Sequence, residues 1–405
     1  MPMDLRVVII TYNVNMQRVS GEDDVRKLLS PAIVVNPCVL VIGMQEVPHG
    51  ETVVGGTAVT WQQQMFEWMK ARNERFVLLT KTYQMTNQVT VFVKRALLPS
   101  IRGIQFRFSR STMGGLTGHK GSIGIKISLQ GHTALVFVDS HFIHDDVAYD
   151  RRIAQYHSNK VCCFPEDPEV KAVFWLGDLN FRVDKEPEEV MDLIKSNAVL
   201  SLLNSAEQLK RAVREGEAFV GFEEQAVSFP PTYRLYVGTT EYDMRRTPSW
   251  CDRVLYKGDI ISPISYSSNQ DLLVSDHFPV HAVFDVKIPH LPKSNWDCLF
   301  EHLPTWYTTV PLIGRFRLLN NYWTSRGSYQ DWVGVYPATI DDCTSPLRWI
   351  WIPACSEQMV QGQKYIVCEF VSLPEGNYRL GYFSHYSNCL IGLSKSFKVI
   401  QQPVE

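Results

Sequence analysis

Roughly the first 285 residues alternate short, apolar, β-branched runs with amphipathic segments, and this restricts the chain to layered α/β architectures. Strands are predicted over 5–14, 38–44, 75–82, 89–94, 122–129, 134–140, 171–176, 253–257 and 280–286. Several are apolar through most of their length, as strands covered on both faces are. Helical spacing falls on 61–73, 147–163, 187–196 and 205–215. In the second of these, Val147, Ile153, Ala154 and Tyr156 supply the expected apolar face. Pro187 with acidic residues behind it is a good helix start.

The pattern breaks at the Pro-marked segment KIPHLPKSN, and 288–295 is read as a linker. Beyond it helical spacing disappears, Trp and Tyr accumulate, and short strands at 365–371 and 377–383 alternate with turns. About 110 such residues predict an antiparallel β-sandwich as a second domain. Its Trp306, Trp323, Trp332, Trp349 and Trp351 are expected to serve mainly as sandwich core, with 348–352 alternating between a buried and an outer face. A length of 405 residues accommodates both domains with real cores.

Composition excludes some classes. Hydrophobic residues at 45% and charged residues at 20% rule out a disordered chain. A net charge of -2 argues against a protein built for non-specific nucleic-acid binding, and no nucleic-acid partner is expected. The nine cysteines are odd in number and include no CxxC pair, and the start MPMDLRVVIITYN lacks a signal-peptide layout. Free thiols in a cytoplasmic, reducing compartment are therefore expected. No apolar run reaches the ~20 residues that span a bilayer, so contact with membranes is expected to be peripheral.

Polar residues gather where the predicted strands end. Asn13 follows the first, Gln45-Glu46 the second, His141 the strand at 134–140, and Asp178-Leu179-Asn180 the strand at 171–176. Trp250-Cys251-Asp252-Arg253 and Ser275-Asp276-His277 precede two later strands. Alone, an Asp-x-Asn or a Ser-Asp-His is usually a turn or cap. Together, at successive strand ends, they make a carboxylate, amide and imidazole site of the kind that suits Mg²⁺ and a phosphate ester.

The order and wording of these motifs resemble one family. Trp175-Leu176-Gly177-Asp178-Leu179-Asn180-Phe181-Arg182, Phe229-Pro230-Pro231-Thr232-Tyr233-Arg234, Pro248-Ser249-Trp250-Cys251-Asp252-Arg253 and Ser275-Asp276-His277-Phe278-Pro279 are similar to those of inositol polyphosphate 5-phosphatases. The resemblance covers about 5–287 and implies the four-layer α/β sandwich of the endonuclease/exonuclease/phosphatase superfold over 1–287. Asp331-Trp332-Val333-Gly334-Val335-Tyr336 resembles a SKICH domain, which implies an immunoglobulin-like sandwich over 296–405, a localisation role and a protein partner.

By position, the resemblance implies Mg²⁺ held at Glu46 with Asn13 and Asp276 close by, and water activated by Asp178 and held by Asn180. It implies a phosphate contact from His277, oriented by Asp252, and another from His141. Tyr233, Arg234, Lys120 and Arg182 are implied for substrate phosphates, and Met113 and Leu116 in the Gly-rich 111–121 loop for lipid chains. Met244 stands where relatives carry a phosphate-binding Lys, and either Arg245 replaces it from the next position or recognition of the 4-phosphate is weakened. The implied substrates are phosphoinositides at plasma or endoplasmic-reticulum membranes, with soluble inositol phosphates as a second source. A nuclease of the same superfold shares Asn, Glu, Asp-x-Asn and Asp-His but lacks the Pro-Pro-Thr-Tyr-Arg motif. A scaffold with a dead catalytic domain is disfavoured because Glu46, Asp178, Asn180 and His277 are all present.

Overall fold

A computed structural model describes residues 3–48, 60–72, 75–112, 117–288, 296–319 and 328–402. A six-stranded mixed sheet runs in the order β10 (Ile261–Ser268), β11 (Val280–Ile288), β1 (Met3–Asn13), β2 (Val39–Gln45), β4 (Asn87–Lys94) and β3 (Phe76–Gln84). A five-stranded sheet follows chain order: β5 (Ile101–Thr112), β6 (Thr117–Leu129), β7 (Thr133–His141), β8 (Val170–Asp178) and β9 (Asp252–Lys257). Only β1–β2 and β7–β8 pair in parallel within these two sheets.

Period-two alternation distributes the strand residues between two faces. Val7 and Ile9 of β1 share one core with Ile125, Phe137, Phe174 and Leu176 of the second sheet. Val8, Ile10 and Tyr12 point the other way and pack with Val25, Leu28 and Leu29 of α1 (Glu22–Val34) and Trp61 and Met65 of α2 (Trp61–Arg72). On the far face of the second sheet, Val138, Trp175 and Leu255 pack with Tyr156 of α3 (Tyr149–Asn159). Beyond α4 (Pro187–Lys195) and α5 (Leu202–Ser205), α6 (Gln208–Arg214) adds Leu209 and Ala212 to this layer. The helix expected over 205–215 starts later because Glu207 caps α6, accepting from the Leu209 and Lys210 amides.

Three elements escape the sequence pattern. Edge strand β5 alternates Arg and Ser with apolar residues, and edge strand β10 contains Pro263 and a register shift. Helix α1 contains Pro31, which cannot donate to the Lys27 carbonyl four residues back. Asn269 Nδ2 donates to that carbonyl instead, at 2.8 Å. The buried face of α3 also differs from the expected one. Val147 and Ala154 are exposed, whereas Arg152, Gln155, Tyr156 and Asn159 are buried.

The C-terminal region is all β. One sheet orders β12 (Cys298–Phe300), β14 (Leu312–Leu318), β18 (Gln363–Phe370) and β17 (Ser356–Val360). The other orders β13 (Trp306–Tyr307), β21 (Phe397–Ile400), β19 (Gly376–Ser384), β15 (Trp332–Pro337) and β16 (Arg348–Trp351), with β20 (Cys389–Leu393) also on β19. Phe316, Ile366, Leu380 and Tyr382 are buried within them. The alternation in β16 holds, but Trp349 and Trp351 take the exposed face, contrary to the core role expected for them. Trp323 lies outside the described residues.

This region docks on the edge of the first. The Leu78 amide in β3 donates to Asp341 O at 2.8 Å, and Cys343 N donates to Leu78 O at 3.0 Å. Ile104 N in β5 donates to Ser387 O at 2.8 Å. The free edges of two sheets are thus covered. All nine cysteines are free thiols.

Candidate active site

Strand register collects the polar residues at one end of the two sheets. Asn13 lies beside Gln45, His141 beside Asp178, and Asp178 opposite Asp252. There Asn13, Asn15, Glu46, His144, Asp178, Asn180, Tyr233, Arg234, Arg246, Asp276 and His277 line a cleft of about 260 Å³. Glu46 and Asn180 follow their strands with φ of 53° and 56°. A non-glycine residue in this left-handed region is strained, and such strain concentrates at functional sites.

Asp178 is the hub. Asn13 Nδ2 donates to its Oδ2 at 2.9 Å, and the Asn180 amide donates to its Oδ1 at 3.1 Å. One oxygen thus closes the turn while the other faces the site. His141 Nε2 lies 3.3 Å from Asp178 and 3.5 Å from Glu46, and the Lys120 ammonium contacts the same imidazole nitrogen. Burial works to raise the Asp178 pKa, but the His141 hydrogen bond and the charges of His277 and Lys120 hold it well below the usual range. Burial and the Lys120 charge lower the His141 pKa against the pull of Asp178 and Glu46.

His277 forms a second cluster. Its Nδ1 lies 2.8 Å from Asp252 Oδ2, which also accepts from Thr232 Oγ1 at 2.7 Å. Burial works against the imidazolium, yet the charge and hydrogen bond of Asp252 prevail and push His277 up to about 9. Ser275 Oγ ties this turn to β1 by donating to Asn13 O at 2.7 Å, and accepts from the His277 amide at 3.2 Å. The Tyr233 ring packs on the His277 ring with centroids 4.5 Å apart.

The cations around the cleft are distributed differently from expectation. Arg234 lines it, 3.4 Å from both Asp243 and Asp276. Arg245, expected to face substrate, turns outward: its side chain is 71% exposed and pairs with Asp243. Its neighbour Arg246 lines the cleft instead, an alternation that the sequence signals only as two adjacent arginines. Arg182 donates to Asn180 Oδ1 at 2.6 Å and lies over the Tyr233 ring, 4.8 Å from its centroid. His144, for which no role was expected, and Asn15 also line the cleft. Met113 and Leu116 lie outside the described residues.

Among the described residues no three His, Cys, Asp or Glu side chains form a ready-made metal cage. The donor set nevertheless fits a hard divalent cation. Glu46, Asp178 and Asp276 bring carboxylate oxygens to one cleft, and Asn13 brings an amide. Mg²⁺ typically takes only one or two protein carboxylates and completes its shell with water and phosphate oxygen.

Residues 10–283 match the Endonuclease/Exonuclease/phosphatase family 2, and the chain belongs to that family. Residues 298–399 match the SKICH domain. An inositol-1,4,5-trisphosphate 5-phosphatase 1 of Schizosaccharomyces pombe is 31% identical over 56% of this chain and 22% of its own. The phosphatidylinositol 4,5-bisphosphate 5-phosphatase A of Mus musculus is 27% identical over 97% of this chain and 42% of its own. The chain thus spans under half the length of these relatives.

Among solved structures, the 5-phosphatase domain of spsynaptojanin, in complex with inositol (1,4)-bisphosphate and calcium, superposes with a TM-score of 0.63 at 26% identity. That match covers 71% of this chain and 86% of the other. A Cimex nitrophorin mutant, solved as a ferrous NO complex, superposes at 0.58 and 26% identity, covering 70% and 99%. One fold serves both, so function must be argued from the site.

Proposed function

We propose that this protein is a Mg²⁺-dependent phosphoinositide 5-phosphatase, removing the 5-position phosphate of phosphatidylinositol 4,5-bisphosphate or 3,4,5-trisphosphate by direct attack of water. The observation that carries this reading is the convergence of the Asn13–Asp178 and Asp252–His277 pairs, at 2.9 and 2.8 Å, on the cleft that Glu46 enters. Glu46, with Asn13 and Asp276, would hold Mg²⁺, which would supply charge neutralisation at the scissile phosphate and the leaving oxygen.

The remaining work falls to the chain. Asp178, ionised and fixed by Asn13 and the Asn180 amide, orients the water and takes its proton as the new P–O bond forms. The bond to the inositol 5-oxygen breaks, and that oxygen takes a proton from solvent as it leaves. Asn180 holds the water or a phosphoryl oxygen. His277, protonated and oriented by Asp252, donates to a phosphate oxygen, with His141 and Lys120 beside it. Tyr233, Arg234 and Arg182 meet the substrate's other phosphates, and Arg246 takes the place expected of Arg245. Met113 and Leu116, outside the described residues, are assigned to contact with the lipid chains.

The reading includes a four-layer catalytic unit over 1–287, consistent with the helices packed outside each sheet, and an immunoglobulin-like unit over 296–405. The latter is assigned to peripheral attachment at plasma or endoplasmic-reticulum membranes and to a protein contact. Its exposed Trp349 and Trp351 suit an interfacial role. No helix among the described residues is long and apolar enough to cross a membrane.

Phosphate release with Mg²⁺ from the two lipids, a lipid lacking the 4-phosphate, matched soluble head groups and single-stranded DNA tests the reading. Chelator-sensitive release from 5-phosphorylated lipids supports it and ranks lipids against head groups. Cleavage of DNA alone defeats it in favour of a nuclease.

A further inference from the structure

The arginines that border the cleft are already held by carboxylates. Arg234 is shared by Asp243 and Asp276, and both Arg246 and Arg182 are held by Asp146. Asp146 stands apart from the other two. Its side chain is 47% exposed, and it bridges two guanidinium groups that flank the cleft from different segments of the chain.

The bridge is incomplete on one side. Arg182 is only 4% exposed, and its Nε lies 3.6 Å from Asp146, beyond hydrogen-bond range. Its Nε and Nη1 are buried without a hydrogen-bond acceptor. Buried guanidinium donors without an acceptor are costly, and a phosphate offers three oxygens where the carboxylate offers two.

The position of Asp146 is also built. The fully buried Arg152 donates to Asp145 O at 2.6 Å and lies 3.4 Å from Ile143 O and Asp146 O. Its other nitrogen donates to Gln208 Oε1 at 2.8 Å, anchoring the 143–146 loop to α6. Gln208 Oε1 accepts from the Arg182 amide as well, at 3.0 Å. Loop and arginine thus share one buried support.

We infer that Asp146 is a specificity-determining residue that stands in for a substrate phosphate, holding Arg246 and Arg182 until the phosphate neighbouring the scissile one displaces it. This deepens the 5-phosphatase reading and rests on it. The carboxylate competes with the ligand, so it lowers affinity for substrates carrying that second phosphate more than for those lacking it. Like-charge opposition of this kind is a common way to set a difference of affinities.

The test is calorimetric titration of the full chain and of Asp146→Asn with inositol 1,4-bisphosphate and with inositol 1-phosphate at low ionic strength. The ratio of bisphosphate to monophosphate affinity should rise about two- to fivefold in Asp146→Asn, the scale of one partly exposed charge pair. The gain should vanish when Arg246→Gln is added. Asp146→Ser, which removes the same charge with a smaller side chain, should reproduce the rise. An unchanged or lower ratio, an equal gain for both ligands, or no binding of either overturns the inference. Phosphate release from a 5-phosphorylated lipid is read on the same samples. Binding without release defeats the catalytic reading, while the affinity ratio still decides the role of Asp146.

Discussion

Asp178 is buried and contacted by Asn13, the Asn180 amide and His141, and its replacement, once shown to fold, reads its part in the chemistry. Asp178→Ala should lose at least about a thousandfold in turnover, as loss of a group acting in the transition state does, with an unchanged circular dichroism spectrum. Near-normal turnover in the folded variant would remove Asp178 from the mechanism. Glu46→Gln should act differently, raising the Mg²⁺ concentration for half-maximal activity by about tenfold or more while added Mg²⁺ recovers part of the rate. A rate equally low at all Mg²⁺ concentrations would show that Glu46 does other work. Arg234→Ala should weaken substrates bearing a 4-phosphate more than those lacking it, and equal losses would displace that residue from the phosphate site. The polar residue types that meet at the cleft were legible because they stand at the ends of apolar runs, Asn13, Glu46 and Asp178 after one and His277 before one. The Arg245 and Arg246 roles were not, because a turn decides which of two neighbours points inward.

At the scale of elements, the two sheets pack too closely to accept added volume. A methyl group on Gly43 in β2 would sit 2.4 Å from Asp139 Oδ1 and 2.8 Å from Leu176 Cδ1 across the inter-sheet core. Gly43→Ala should therefore cost about 1–3 kcal/mol, read as a lower urea midpoint with unchanged slope. An unchanged midpoint would show that the sheets can separate there. Asp139 itself accepts from Gln45 Nε2 at 2.6 Å, so the same change also strains the residue that precedes Glu46. The long central strands were legible from their apolar runs, whereas α1, β5 and β10 were hidden by Pro31, by charged alternation and by Pro263. The face of α3 was misjudged for a related reason. Its buried residues include Arg152, Gln155 and Asn159, which bond to the 143–146 loop and to Ser122, contacts that hydropathy cannot show.

Across the whole molecule, the backbone bonds of Leu78, Cys343 and Ile104 join the two regions, beside the side-chain pairs Lys70–Asp341 and Arg102–Asp297. Native-state hydrogen exchange should show the Leu78 and Cys343 amides protected to a degree comparable with those of β2. Exchange near the rate of an open loop would mean that the second region is merely tethered. These contacts fall on the part of β3 and β5 remote from the cleft, since Leu78 pairs through Phe92 with Leu40 while the site begins beyond Gln45.

The sequence by itself determined the strand-rich α/β half, the β half behind a Pro-marked break, and the residue types of the site, because local periodicity and composition encode them. Tertiary structure alone decided which arginine enters the cleft and that Asp146 holds two of them. It also decided that α3 buries polar residues and that the two halves share backbone hydrogen bonds. Each of these depends on groups distant in the chain meeting in space, which no local pattern records.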